Sequence, residues 1–279
     1  MRLVTYRADG EECAGVQIDG GVLDAAGLLG VDRIGVRELI AEERLDDLRK
    51  GLDTGDAEPV EGAELLPPLP DPDKIVCIGL NYRSHAAEAG IDPPDHPTFF
   101  AKFRNALAPP GATVSLPAAS EKVDYEAEVA FVIGRRCKEV EPDEALDAVA
   151  GYMLLNDLSA RDLQFATPQW MPGKVFDGSA PCGPAIVTPD EAGPADAISF
   201  ALDLNGERMQ EASTSDLIFS VAELVARLSH WMTLEPGDIV STGTPSGVGS
   251  VRQPRVWLKP GDEIVISSPT LGELRTTIA

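Results

Sequence analysis

Sulfur and imidazole are scarce in this chain of 279 residues, which has four cysteines and three histidines. Cys13, Cys77, Cys137 and Cys182 lie far apart with no C-x-x-C pair. That spacing argues against a zinc ribbon or a disulfide framework and leaves them as reduced, buried small residues. With only His85, His96 and His230 to draw on, a His-rich metal centre is not expected, and any metal should sit on oxygen ligands. Positive charge is also short: 23 Lys and Arg against 46 Asp and Glu leave a net charge of −23. Such a surface repels phosphate backbones and anionic lipid, so neither nucleic acid nor a membrane is an expected partner. An anionic small molecule would need local cationic help or a metal. No run approaches the roughly 18 apolar residues of a membrane-spanning helix, and residues 1–10 lack the charged-then-apolar pattern of a signal peptide. A soluble, cytoplasmic protein is expected. Aromatics are only 5% of the chain, which leaves Phe165, Trp170 and Phe219 as candidate pocket walls.

What is present is an ordinary globular composition, 43% hydrophobic and 25% charged. Residues 2–7 and 12–18 read as short strands, and 36–52, with Leu39, Ile40, Leu45 and Leu48 at helical spacing, reads as a helix. This small α/β unit closes at the proline-rich stretch 65–73, which predicts a small N-terminal domain over 1–70 and a larger domain over 71–279. Beyond the boundary, 74–80 reads as a buried strand and 82–89 as one or two helical turns ending at Gly90. Further strands are expected at 123–133, 184–187, 199–204, 238–241 and 263–267, with Asn205-Gly206 as a hairpin turn. Helices are expected at 142–151 and 220–231. Strands that outnumber helices without alternating regularly with them predict an α+β, mostly β fold.

Strand 123–133 places Val123, Tyr125, Ala127, Val129, Phe131 and Ile133 on one face and Asp124, Glu126 and Glu128 on the other. Carboxylates two residues apart on one face can converge on one ion, so Glu126 and Glu128 are candidate ligands for Mg²⁺, Mn²⁺ or Ca²⁺. The alternative is a solvated face of an acidic protein. Asp157 ends the apolar run 152–158 and is either a third ligand or a cap for the turn that follows. His85 and Glu88, three apart on a helix, form either a general-base dyad or a surface ion pair. Lys174, after Gly173, is a cation for an oxyanion or part of a surface turn. The glycine-rich segment 241–249 matches no nucleotide-phosphate loop, and no G-x-S-x-G is present.

Five motifs recur in a particular order: K-I-V-C-I-G-L-N-Y-R-S-H-A-A-E (74–88), D-Y-E-A-E (124–128), N-D-L-S-A-R-D-L-Q (156–164), G-K-V-F-D (173–177) and S-T-G-T-P-S-G-V-G (241–249). Together they resemble the fumarylacetoacetate hydrolase family over roughly residues 72–267. The resemblance implies a mixed β-sandwich roll, a homodimer, and cleavage of a C–C bond beside a 1,3-dicarbonyl in a small anionic 2-oxo acid. It further implies Glu126, Glu128 and Asp157 as ligands of Mg²⁺ or Mn²⁺, and His85 with Glu88 as a water-activating dyad on a lid that orders with substrate. Lys174 and Gln164 would stand at the oxyanion, Arg161 beside the metal, and Thr244, Gly243 and Tyr82 at the substrate. Decarboxylation of an oxaloacetate-like acid, or isomerisation of a 2-hydroxymuconate-like one, would use the same site. A binding protein without catalysis is the remaining alternative. The stretch 165–172 varies in the family and identifies no acyl group.

Overall fold

The computed structural model describes residues 1–54 and 57–279. The chain opens with an antiparallel meander, β1 (Arg2–Ala8), β2 (Glu11–Ile18) and β3 (Gly21–Asp24), followed by α1 (Ala25–Leu29), α2 (Val36–Ala41) and α3 (Leu45–Asp53). The single helix expected over 36–52 is thus two. Glu43 adopts φ of 54°, a left-handed conformation that a continuing helix cannot contain.

After the prolines come β4 (Ile75–Gly79), α4 (Arg83–Ala89), β5 (Thr98–Lys102), β6 (Ala127–Ile133) and β7 (Val149–Asn156). The short α5 (Arg161–Gln164) precedes β8 (Ala180–Val187), β9 (Ser199–Leu204) and β10 (Glu207–Ser213). Then follow α6 (Val221–Trp231), β11 (Ile239–Ser241), β12 (Glu263–Ser268) and β13 (Gly272–Ile278). Ser220 caps α6 through a reciprocal box with Glu223.

One large sheet runs β3-β2-β1-β8-β7-β6-β11-β4-β5, mostly antiparallel, with β11 and β4 parallel. Because β1 pairs with β8, at Arg2↔Val187 and Leu3↔Ile186, the first 70 residues extend the sheet that carries the site. A second sheet runs β10-β9-β12-β13, with Thr113–Val114 added at its edge. Val129, Phe131, Leu154 and Val240 fill the space between the sheets with Phe200, Leu202, Ile264 and Leu274. On the other face Val132, Met153, Leu155 and Ile239 pack with Leu39, Ile40 and Leu48. The fold is mostly β with few helices, as its strand-rich pattern predicts.

Coverage of both faces explains one misreading. Residues 142–151 do not form a helix: a single 3-10 turn at Ala145–Ala148 leads into β7, whose eight residues are all buried. A strand buried on both faces is apolar throughout and shows no alternation. Strand 123–133 is also interrupted. Val123–Asp124 pairs with Ser159–Ala160, and the long strand resumes at Ala127. Its alternation holds: Val123, Tyr125, Ala127, Val129, Phe131 and Ile133 all enter one core. Among the described residues no helix is long and apolar enough to cross a membrane.

Candidate active site

Three carboxylates meet where β6 and β7 lie side by side. Ala127 pairs with Asn156 across these strands. Glu126, just before β6, and Asp157, just after β7, are therefore neighbours: the Asp157 N–H donates to Glu126 O at 2.9 Å, and the Glu126 N–H donates to Asn156 Oδ1 at 3.1 Å. Glu128 comes two residues along the same strand. One oxygen from each of Glu126, Glu128 and Asp157 lies within 4.8 Å of the other two, and all three residues are buried. Asp124 stays apart. It pairs with Arg161 Nη2 at 2.8 Å and accepts the N–H groups of Gly249 at 2.7 Å and Ser250 at 3.0 Å.

Buried cations offset the repulsion within the cluster. Lys174 Nζ stands 2.7 Å from both Glu126 Oε2 and Asp157 Oδ2, Arg161 Nη1 is 2.7 Å from Glu126 Oε1, and Lys102 Nζ is 2.7 Å from Asp157 Oδ1. Burial alone would raise the Glu126 carboxyl, but Lys174 and Arg161 outweigh it and hold it at about 2. For Glu128, burial and the charges of Asp157 and Glu126 act together and push its carboxyl well above the ordinary carboxylate range. Burial opposes the charge of Lys174, yet Asp157 and Glu126 raise its ammonium above the ordinary lysine value. Glu128 accepts hydrogen bonds from Ser241 Oγ and, at 2.9 Å, from the Gly243 N–H. Among the described residues it has no ion-pair partner. Converging hard oxygens, one of them uncompensated, fit a divalent cation.

Across the cavity, α4 presents His85 and Glu88. The helix is held at its start by the Ser84 N–H donating to Asp216 Oδ2 at 3.0 Å, and it ends at Gly90, whose φ of 66° is left-handed. His85 Nδ1 lies 3.2 Å from Glu88 Oε2, while Glu88 Oε1 accepts the Gly247 N–H at 3.0 Å. Glu88 thus orients the imidazole from a fixed position and leaves Nε2 free. The cavity between this dyad and the carboxylates has a volume of about 520 Å³, and Ile78, Phe100 and Trp170 give it an apolar wall.

Residues 74–279 match the family model described as fumarylacetoacetate (FAA) hydrolase C-terminal. The chain belongs to the fumarylacetoacetate hydrolase family. It is 38% identical over 283 residues to the 2,4-didehydro-3-deoxy-L-rhamnonate hydrolase of Sphingomonas sp., covering 100% of this chain and 96% of that protein. It is 42% identical over 209 residues to the mitochondrial oxaloacetate tautomerase FAHD2B of Bos taurus, covering 74% of this chain and 67% of that protein. Among solved structures, maleylpyruvate hydrolase from Sphingobium sp. in complex with manganese(II) and pyruvate superposes with a TM-score of 0.82 at 30% identity, covering 100% and 99% of the two chains. The relatives are enzymes of differing reaction type, and a manganese complex exists among them.

Other residues singled out in this family member have varied placements. Gln164 lines the cavity and its Oε1 accepts from Arg161 Nη1 at 3.0 Å. Lys174 belongs to no surface turn: it is 2% exposed, with Nζ 5.0 Å from the centre of the Phe100 ring. Gly173 makes that approach possible, since a Cβ there would lie 2.5 Å from Ala160 O and from Gln164 N. Thr244 lines the cavity, but its hydroxyl donates to Ala127 O at 3.0 Å and accepts from Gln210 Nε2 at 2.9 Å. Gly243 and Tyr82 do not line it. Gly243 supplies the amide that holds Glu128, and Tyr82 is fully buried in the core, its ring edge-on to Phe200 at 6.1 Å. Of the expected aromatic walls, Phe165 and Trp170 line the cavity, while Phe219 lies in the core. Lys102, which grips Asp157, went unnoticed. Its only signal is a charge closing the apolar strand segment Phe99-Phe100-Ala101.

Proposed function

We propose that the protein is a divalent-metal-dependent enzyme that hydrolyses the C–C bond of an acylpyruvate, a small anionic 2-oxo acid. The observation that carries this reading is one cavity lined by a buried carboxylate triad, by His85 with Glu88 behind it, and by the donors Lys174, Arg161 and Gln164. Glu126, Glu128 and Asp157 would hold the cation, which when bound would supply the positive charge that a 2-oxo acid and its enolate need. His85, with Nδ1 held by Glu88, keeps Nε2 to take a proton from a water and return one to the departing carbon. Lys174 and Gln164 are the donors for the oxyanion that water attack creates, and their fixed positions avoid reorganisation during reaction. Arg161, bound to both Asp124 and Glu126, keeps the carboxylate cluster in register.

The test is turnover of acetylpyruvate, fumarylpyruvate and oxaloacetate with and without Mg²⁺ or Mn²⁺, following enol absorbance and pyruvate release. The expected result is metal-dependent pyruvate release from an acylpyruvate. Release from oxaloacetate alone would overturn hydrolysis in favour of decarboxylation. The similarity to an oxaloacetate tautomerase supports a second reading, keto–enol interconversion. That reading predicts loss of enol absorbance from oxaloacetate with no pyruvate formed.

A further inference from the structure

The cavity has a second charged region, remote in chemistry from the carboxylates. Lys122 and Arg255 both line it at exposed positions, with Trp257 beside them. Among the described residues neither cation has a salt-bridge partner or a side-chain hydrogen bond, although the chain carries a net charge of −23. Elsewhere, surface cations such as Arg208 and Arg275 each bind two carboxylates. Asp162 is the acid that shares this rim, and its oxygens are already occupied by Ser120 Oγ, the Glu121 N–H and the Leu163 N–H.

Charge balance shows what the rim is suited to bind. At the inner end, Asp124, Glu126, Glu128 and Asp157 face Lys102, Arg161 and Lys174, four carboxylates against three cations. With all four carboxylates ionised, as when a divalent ion is bound, the ion's two charges leave one positive charge, which the carboxylate of a 2-oxo acid neutralises. The rim is left with two cations against one engaged acid, an excess of one positive charge in the same cavity. Two exposed cations with free donors lining the same cavity as the carboxylate cluster match a second carboxylate on an extended substrate.

We propose that Lys122 and Arg255 select substrates carrying a second carboxylate at the end distant from the 2-oxo acid. This rests on the 2-oxo acid reading above but not on the reaction that follows binding.

Calorimetry on the Mn²⁺-loaded protein separates the two. The probes are 2-oxoadipate and 2-oxohexanoate, acids of equal chain length ending in a carboxylate and a methyl group. Two exposed pairs predict that the wild type binds 2-oxoadipate about tenfold more tightly, a preference that shrinks as salt is raised. In the K122Q/R255Q double variant the two acids should bind within about twofold of each other, with 2-oxohexanoate affinity unchanged. The charge-conserving K122R/R255K variant should keep the preference and confirm that the rim is intact. Equal binding of both acids by the wild type, or a preference surviving in K122Q/R255Q, overturns the proposal and leaves the 2-oxo acid reading standing. Binding of neither acid overturns that reading, and the proposal with it.

Discussion

Replacing Lys174 with Met tests the charge balance of the carboxylate cluster directly, because methionine keeps much of the stem's volume and removes only the ammonium. In the metal-free protein this leaves Glu126 with Arg161 alone and Asp157 with Lys102 alone, each at 2.7 Å. Holding Glu126 at about 2 instead of the ordinary 4.5 corresponds to about 3 kcal/mol of stability at neutral pH, an upper bound on the share of Lys174 because Arg161 contributes to the same shift. Breaking a buried ion pair costs about 3–5 kcal/mol by the general rule, so the two approaches agree. For a chain of this size that is a Tm lowered by roughly 5–9 °C, read by thermal unfolding in EDTA at pH 7. The sign with pH follows from the depressed carboxyl. Its contribution is full above 4.5 and is lost as pH falls toward about 2, so the deficit of K174M narrows on acidification. Saturating Mn²⁺ should at least halve the deficit, since the ion brings its own charge to the oxygens that Lys174 no longer meets. A metal-free Tm within about 2 °C of wild type, or a deficit that Mn²⁺ leaves untouched, would refute the reasoning.

Four further outcomes are expected. Because Glu128 is raised above its ordinary value, its protonated form is favoured in the metal-free fold, so stability falls as pH rises above 4.5. Glu128→Gln should therefore raise the metal-free Tm at pH 7 while abolishing the Mn²⁺-induced rise; a lowered metal-free Tm counts against the assignment. Metal binding to the wild type should expel a proton from Glu128, visible as a buffer-dependent binding enthalpy, and identical enthalpies in buffers of different ionisation heat would contradict this. His85→Ala should cut turnover by about 10²-fold or more with Mn²⁺ affinity unchanged, and retained turnover would remove the dyad from the mechanism. Gly173→Ala should destabilise the fold by about 1–3 kcal/mol in denaturant titration, because the new Cβ meets backbone atoms at 2.5 Å; an unchanged midpoint would show that the turn relaxes freely.

The sequence is most legible where one periodicity rules. Alternation along 123–133 sorts its apolar residues correctly, and the capping box at Ser220 marks the start of α6. It is least legible where burial erases periodicity, as at the start of β7, whose first three residues, Val149, Ala150 and Gly151, read as the end of a helix. The acidic face 124–128 shows both limits. Glu126 and Glu128 converge as alternation predicts, but the break at Tyr125 and Glu126 lets Asp124 turn to Arg161 and the amides of Gly249 and Ser250. Lys102 and Lys174 are invisible as partners because they lie 55 and 17 residues from Asp157, and nothing local fixes where their ammonium groups point. Arg255 and Lys122 are likewise ordinary surface residues until the fold brings them to one rim.

The glycine-rich segment 241–249 grips both halves of the site, through the Gly243 N–H on Glu128 and the Gly247 N–H on Glu88. Any small slip of this segment therefore carries the carboxylate cluster and the imidazole's orienting partner in the same direction. Their separation is buffered against such movement in the way that two gauges fixed to one rail keep their spacing when the rail shifts. On the mechanism proposed above, which needs a proton acceptor at a fixed reach from the carboxylate cluster, that shared support gives tolerance to thermal motion without either group having to be rigid alone.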